Sequence, residues 1–241
     1  MCSDRVEEFD AIVLGGGVVG VSVAVHLQMR GLRVVLVDRR APGEETSFGN
    51  AGIIQREAVF PHIFPRGLAE LFRYARNRST EAFYHPSMLP RLVSPFFRYW
   101  HHSQRDRYLA IARLYAPLIA ESVHDHAALA EAAGAMDLLR PTGWTQAHED
   151  PRKLEEALAE AEVMQREFGV THQALDAGAL ARHEPHLRQG LVGGLHWQQA
   201  VAVSDPHALT LAYVGLFERL GGVLRVGDAR TLSASGGLTQ T

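Results

Sequence analysis

Gly15, Gly17 and Gly20 stand in a G-x-G-x-x-G pattern, and an acid, Asp38, follows 18 residues after the last of them. In such a turn the first glycine allows the tight bend and the second lets a pyrophosphate come close to the backbone. The third lets a helix pack closely on a strand. Gly16, Val18 and Val19 complete the turn. Backbone N–H groups at the start of the helix, with the positive end of its dipole, stabilise an anion there without a basic side chain. A carboxylate at Asp38 can accept both hydrogens of a ribose diol. Arg39 can cover an adenine, whereas Arg40 reads as a solvated side chain, since an acid just before the pair would repel the 2′-phosphate of NADP.

The glycine pattern alone is weak, and its strength comes from the elements around it. Residues 9–14 (FDAIVL) form a short apolar run of the kind that makes a buried parallel strand, and the run breaks at Gly15, Gly16 and Gly17. From Val18 to Arg30, Val19, Val23 and Leu27, and likewise Val21, Val25 and Met29, recur at i+4, which predicts a helix stopped by Gly31. Residues 33–38 (RVVLVD) return to a β-branched strand ending on the acid, so the stretch is a βαβ unit built to hold a dinucleotide.

The chain does not proceed at once through a further helix and strand. It runs on as Glu45-Thr46-Ser47-Phe48-Gly49-Asn50-Ala51-Gly52-Ile53-Ile54, small and polar, where backbone groups can approach a flat ring. The alternative is a polar loop that merely leads into a helix. On LGGGVVGVSVAVHL, VVLVDRR and ETSFGNAG, the last close to an E-T-S-x-x-N-A-G run, the sequence resembles the FAD-dependent D-amino acid dehydrogenase family, within the D-amino acid, glycine and sarcosine oxidase group. SDPHALT matches a further D-P-x-x-x-T signature of that family. The resemblance implies an α/β fold: a Rossmann-like FAD-binding domain, residues 1–60 and 201–241, with an inserted α+β substrate or cap domain, residues 61–200. FAD is the implied cofactor, with Thr46 and Ser47 beside the pyrophosphate and Asn50, Ala51, Gly52 and Ile53 beside the isoalloxazine. It covers only the N-terminal part of a family member, so the expectation is a fragment ending just before the strand that closes the FAD sheet. The substrate-carboxylate grip then lies beyond Thr241, and no catalytic residue is named.

What the resemblance implies is oxidation of a D-amino acid to a 2-oxo acid and ammonia. A glycine- or sarcosine-type amine oxidase using oxygen is the runner-up, and an inactive nucleotide-binding fragment is the reading from another class. The substrate is a small amino acid or amine, and the electron acceptor is left between the respiratory chain and oxygen.

The rest of the chain adds elements and exclusions. Residues 60–100 interleave prolines, aromatics and basic residues, as in PHIFPRG and SPFFRYWHHS, and residues 105–133 and 151–168 read as long helices. Residues 143–147 (GWTQA) and 194–198 (GLHWQ) are strand-like and flank the second of these helices. Asp205 or Ser204 can cap a helix with Pro206 in its first turn, followed by a strand over residues 223–226. Thirteen histidines lack the spacing of a metal site: His101 and His102 are adjacent, His124 and His126 lie two apart, and His183 and His186 straddle Pro185. No G-x-S-x-G elbow occurs, and the one cysteine, Cys2, is N-terminal, which leaves neither covalent hydrolysis nor a disulfide framework. With 24 Lys and Arg against 27 Asp and Glu, the net charge of -3 carries no whole-chain footprint for nucleic acid or an anionic membrane. No apolar run approaches the ~20 residues of a membrane span. The cytoplasm is the expected compartment, with peripheral association at the inner face of the membrane left open.

Overall fold

The structure, a computed structural model, describes residues 7–77 and 83–232; Cys2 and residues 233–241, the end of the expected FAD-binding portion, lie outside them. The chain opens with β1 (Ala11–Leu14), α1 (Val18–Met29) and β2 (Val34–Asp38), the expected βαβ unit, and β3 (Ile53–Ile54) follows the polar stretch. Three helices come next: α2 (Leu68–Ala75), α3 (Leu89–His102) and α4 (Arg105–Ala133). The middle then alternates through β4 (Leu139–Arg140), β5 (Trp144–His148), α5 (Pro151–Phe168), β6 (His172–Asp176), α6 (Ala177–His183), β7 (Gly193–Trp197) and β8 (Val201–Val203). The last elements are α7 (Pro206–Arg219) and β9 (Val223–Val226).

These strands make three sheets. β1 and β9 flank β2 in a parallel sheet, with Leu14 opposite Val37 and Asp38 opposite Val226. Residues 34–37 of β2 are buried on both faces, as a central parallel strand requires. β3, β8 and β4 form a small antiparallel sheet that joins Ile53 to Ala202, and β5, β7 and β6 form a larger antiparallel one.

α1 and α7 cover the parallel sheet. α1 is apolar on nearly every face, and packing selects which residues count: Val21, Ala24 and Val25 are buried, while Val19, Val23 and Met29 stay exposed. α7 starts as its sequence dictates, with the Asp205 carboxylate accepting from the Ala208 N–H at 2.9 Å and Pro206 in the first turn. It buries Leu209, Tyr213, Val214 and Phe217 against Val25, Val34 and Leu36. α4 runs from one hydrophobic core to another. Its Leu129 and Ala130 join the core under α1 and α7, whereas Ala116 joins Val59, Ala161, Met164, Leu195 and Trp197 in the core of the larger antiparallel sheet. Pro117 lies inside this helix without ending it, and Gly134, in the left-handed conformation at φ 72°, does end it.

Seven elements were not expected from the sequence: β3, α2, α3, β4, β6, α6 and β8. α2 and α3 lie where prolines and aromatics obscure the period, and β6 has no clean alternation, since its central side chains at Gln173 and Ala174 are exposed and only Leu175 is buried. β6 exists because β7, buried at every position, needs a partner on both edges.

On the α6 side of the larger sheet a polar chain forms around the buried His196, with Thr145 and Glu184 half-buried beside it. Thr145 and His196 are opposite each other on β5 and β7. The Thr145 hydroxyl donates to Glu184 Oε1 at 3.0 Å and lies 3.1 Å from His196 Nδ1, which assigns the Nδ1–H tautomer to the imidazole. The His183 ring stands edge-on at 4.6 Å. Burial, with the neighbouring His183 adding to it, holds the His196 pKa below its ordinary value of 6.5, and Glu184 opposes the shift. Burial lowers His126 in the same direction. The unfolded chain therefore binds protons near pH 6.5 that the folded chain resists, so stability falls as pH drops below that value. We expect the thermal unfolding midpoint to fall between about pH 7.5 and about pH 5.5, and to fall less in His196→Gln. An equal fall in that variant would show that His196 is not among the groups responsible.

Candidate functional site

The turn between β1 and α1 is set by close contacts that only glycine permits. Gly15 has φ +106°, a conformation L side chains rarely adopt. A Cβ on Gly20 would lie 1.9 Å from the Gly15 carbonyl oxygen, so α1 rests directly on the end of β1. This is the third-glycine role read from the sequence. A Cβ on Gly16 would press on Pro42 at 3.2 Å, and one on Gly17 would meet Ser47 Oγ at 3.2 Å.

At the first turn of α1 the Val18 N–H donates to Ser47 Oγ at 2.9 Å. Ser47 is buried and caps the helix from 29 residues away, in place of Gly17, which has no side chain to do so. Among the described residues the N–H groups of Gly17, Val19 and Gly20 take no protein partner. Three donors at the positive end of a helix dipole are what an anionic phosphate needs.

Asp38, at the end of β2, lies across the turn. Its Oδ2 accepts from the Gly16 N–H at 2.6 Å and its Oδ1 from the Arg40 N–H at 3.1 Å. A carboxylate has about four lone-pair sites, so each oxygen keeps one for a diol. Asp38 thus also fixes the glycine turn, a task its position in the sequence did not disclose. Arg39 donates to Glu45 Oε1 at 2.9 Å and Arg40 lies 3.4 Å from the same oxygen, which ties both arginines to the start of the polar stretch. Nearby, the Gly227 N–H donates to the Asp38 carbonyl at 2.9 Å. Asp228 just after it is paired with Arg230, whose guanidinium and backbone N–H hold that carboxyl down at about 2, with the Arg39 charge assisting.

The polar stretch is pinned at both ends. The Gly43 N–H donates to the Gly16 carbonyl at 2.9 Å, and Gly43 packs against His207 of α7 so closely that a Cβ there would lie 2.8 Å from its ring. The His207 ring also stands edge-on to Phe48 at 5.3 Å. At the far end Asn50 Oδ1 accepts from the Gly52 N–H at 2.8 Å, and the Gly52 carbonyl accepts from the Val203 N–H at 2.6 Å. Gly52 has φ +61°, and a Cβ there would lie 2.5 Å from the Val203 carbonyl oxygen. Ile53 enters β3 opposite Ala202. Thr46, Asn50 and Ala51 are exposed.

The structure therefore brings Gly15 to Gly20, Asp38 and Ser47 together at one end of the parallel sheet, and ties the Asn50–Ile53 run to β8. Sequence reasoning missed Pro42, Gly43 and His207, which hold the stretch in place; Pro42-Gly43 was legible as a turn, but nothing local pointed to a histidine 164 residues later. It also missed Glu57, a buried carboxylate whose Oε1 accepts from the Trp144 indole N–H at 2.5 Å and joins the chain after β3 to the larger sheet.

Comparison with known proteins bears on this arrangement directly. Residues 10–240 match the family described as FAD dependent oxidoreductase. The chain belongs to that family. Among curated proteins, the D-amino acid dehydrogenase of Phenylobacterium zucineum (strain HLK1) is 32% identical over 189 residues, covering 76% of this chain and 44% of the relative. The enzyme of that name from Methylobacterium nodulans is 28% identical over 223 residues, covering 90% and 52%. Solved structures of similar fold include the glycine oxidase of Bacillus cereus, with a TM-score of 0.56 at 20% identity over 91% of this chain and 46% of that one. The L-amino acid deaminase of Proteus myxofaciens gives 0.61 at 14% identity over 93% and 39%. The chain spans about half the length of the curated relatives it matches.

Two substitutions test how this family member builds its turn. Ser47→Ala leaves the Val18 N–H without its partner and should cost about 1 kcal/mol of unfolding free energy. Gly20→Ala must lift α1 off β1 and should cost about 1–3 kcal/mol. Urea denaturation monitored by circular dichroism measures both, and a Gly20→Ala chain as stable as the parent would contradict the contact described.

Proposed function

We propose that this chain binds FAD and forms the cofactor-holding part of an enzyme that oxidises D-amino acids. The observation that carries the reading is the meeting, at one end of the parallel sheet, of unpartnered N–H groups on a glycine turn with the Asp38 carboxylate across from them. Glycines at 15, 16, 17 and 20 leave room for a pyrophosphate where a Cβ would fill it. The residues present fit the group.

In this reading the N–H groups of Val19 and Gly20 hold pyrophosphate oxygens, and Asp38 holds the adenosine ribose through the lone pairs that Gly16 and Arg40 leave free. Arg39 covers the adenine. Thr46 and Ser47 border the pyrophosphate. The backbone of Asn50, Ala51, Gly52 and Ile53 borders the isoalloxazine, kept rigid by its bonds to β8. When bound, FAD supplies a ring that accepts a hydride from the carbon bearing the amine. The substrate loses that hydride and a proton from nitrogen, and water hydrolyses the resulting imino acid to a 2-oxo acid and ammonia. The names of the curated relatives support D-amino acids over secondary amines. The reading divides the chain into a dinucleotide portion, residues 1–60 and 201–241, and a substrate portion, residues 61–200, and puts the reaction in the cytoplasm.

Titration of the purified chain with FAD and with FMN tests the assignment. Only FAD carries the adenosine ribose, so Asp38→Asn, which keeps an oxygen for the Gly16 N–H but can no longer accept both hydrogens of the diol, should weaken FAD by about 2 kcal/mol, roughly thirtyfold, and leave FMN little changed. Gly17→Val should abolish FAD retention, since its side chain would occupy the approach to the turn. Equal losses of both flavins in Asp38→Asn would take that carboxylate away from the ribose and leave it only the glycine turn. For the reaction, dye reduction that depends on D-amino acids supports the proposal, while oxygen consumption with sarcosine or glycine alone would replace it with amine oxidation.

A further inference from the structure

In its first half α4 buries Ala112 and Ala116 and turns another line of residues outward. Arg107, Ile111, Leu114, Leu118 and Glu121 follow one another at alternating steps of four and three residues, and all five are exposed. A mean period of 3.5 residues is the seam of one helix packed along another. Its middle is strongly apolar and open: Leu114 and Leu118 are 80% and 71% exposed, with the half-open side chains of Ile111 and Tyr115 beside them.

Charge runs along the same helix in one direction. Residues 105–118 hold three arginines against one acid, Asp106, whereas residues 119–133 hold three acids, Glu121, Asp125 and Glu131, and no arginine or lysine. The helix dipole favours the reverse order, so the stability of α4 does not account for it. Arg113 lies off the seam, 3.6 Å from Glu167 of α5. Among the described residues Arg107 and Glu121, at the two ends of the seam, make no salt bridge.

We propose that this face of α4 pairs with the same face of a second copy of the chain, the two helices running antiparallel about a twofold axis at Leu114. Arg107 and Glu121 lie seven residues to either side of Leu114, so turning the seam end for end sets each arginine beside the partner's acid. Leucines then meet leucines in the middle. The twofold repeats every contact, and one patch closes the pair without leaving a second face to propagate. A parallel pairing would set arginine against arginine and acid against acid. A partner of one charge sign would answer only one end of the seam. The apolar part spans about two turns, so the dimer is weak, with a dissociation constant on the order of 10 μM.

The proposal does not depend on FAD binding, and its test uses the purified chain without added cofactor. Sedimentation velocity over about 1–200 μM should show monomer converting to dimer. Leu114→Asn/Leu118→Asn, which alters side chains that contribute little to folding, should weaken the dimer at least about tenfold. Arg107→Glu sets acid against acid and Glu121→Arg sets base against base, so each variant alone should stay monomeric over that range. Mixed in equal amounts the two should form a one-to-one heterodimer, because every end contact between them joins opposite charges. Recovery in the mixture requires that both variants are folded. A parent chain that stays monomeric, a dimer indifferent to Leu114→Asn/Leu118→Asn, or a mixture as monomeric as its parts would overturn the proposal. Capture of this face by phospholipid vesicles in place of self-association would overturn it as well.

Discussion

Everything at the candidate site depends on how closely α1 can approach the end of β1. Gly20 sits so near the Gly15 carbonyl that no side chain fits between them, and this contact sets the height of the helix above the sheet. At that height the first N–H groups of α1 open on the same space that the Asp38 carboxylate faces. Asp38 in turn reaches the Gly16 N–H at 2.6 Å. A helix lifted by one methyl group would carry Gly16 and Gly17 away from Asp38 and Ser47 together, because both partners come from segments fixed elsewhere.

Those segments are fixed by packing at long sequence separation. Ser47 can act as a remote cap because the chain from Pro42 to Gly52 is clamped between the glycine turn and the start of α7. Pro42 and Gly43 press on Gly16, Gly43 and Phe48 press on His207, and Gly52 is bonded to Val203. α7 is rigid for ordinary reasons: an Asp205 cap at its start, and Tyr213 and Phe217 fully buried along its length. A surface helix 160 residues downstream thus shapes a loop that would otherwise have only its own short hydrogen bonds. Side chains in that loop are small, so its backbone defines the surface it presents.

The two hydrophobic cores are joined by α4, which contributes Ala116 to one and Leu129 and Ala130 to the other, and by the Glu57–Trp144 hydrogen bond. Polar groups between packed elements recur in this middle part. The Glu184–Thr145–His196 chain sits where α6 covers the sheet, and its buried imidazole makes that contact sensitive to protonation. Charge is likewise uneven, with the arginine-rich stretch before α4 set against an acidic remainder. The consequences of charge lie in that local distribution.

The sequence by itself determined the βαβ unit, the limits of α4 and α5, the cap of α7 and the last strand, because each is specified by neighbours in the chain: a glycine turn, apolar residues at helical spacing, an Asp-Pro start, a glycine stop. It also determined that the glycine turn and Asp38 meet, since the helix and strand between them return the chain to the same end of the sheet. Tertiary structure decided the rest. It chose Val21 and Val25 over Val19 and Val23 as the buried face of α1, a choice invisible in a helix apolar nearly all round. It made β6 a strand by offering the free edge of β7, against a sequence with no alternation. It brought His207 to Gly43, Ser47 to Val18 and Glu57 to Trp144, contacts whose partners lie far apart in the chain. Local sequence encodes backbone preference and the period of burial; which of several apolar faces is covered, and which distant polar group completes a turn, are settled only when the layers pack.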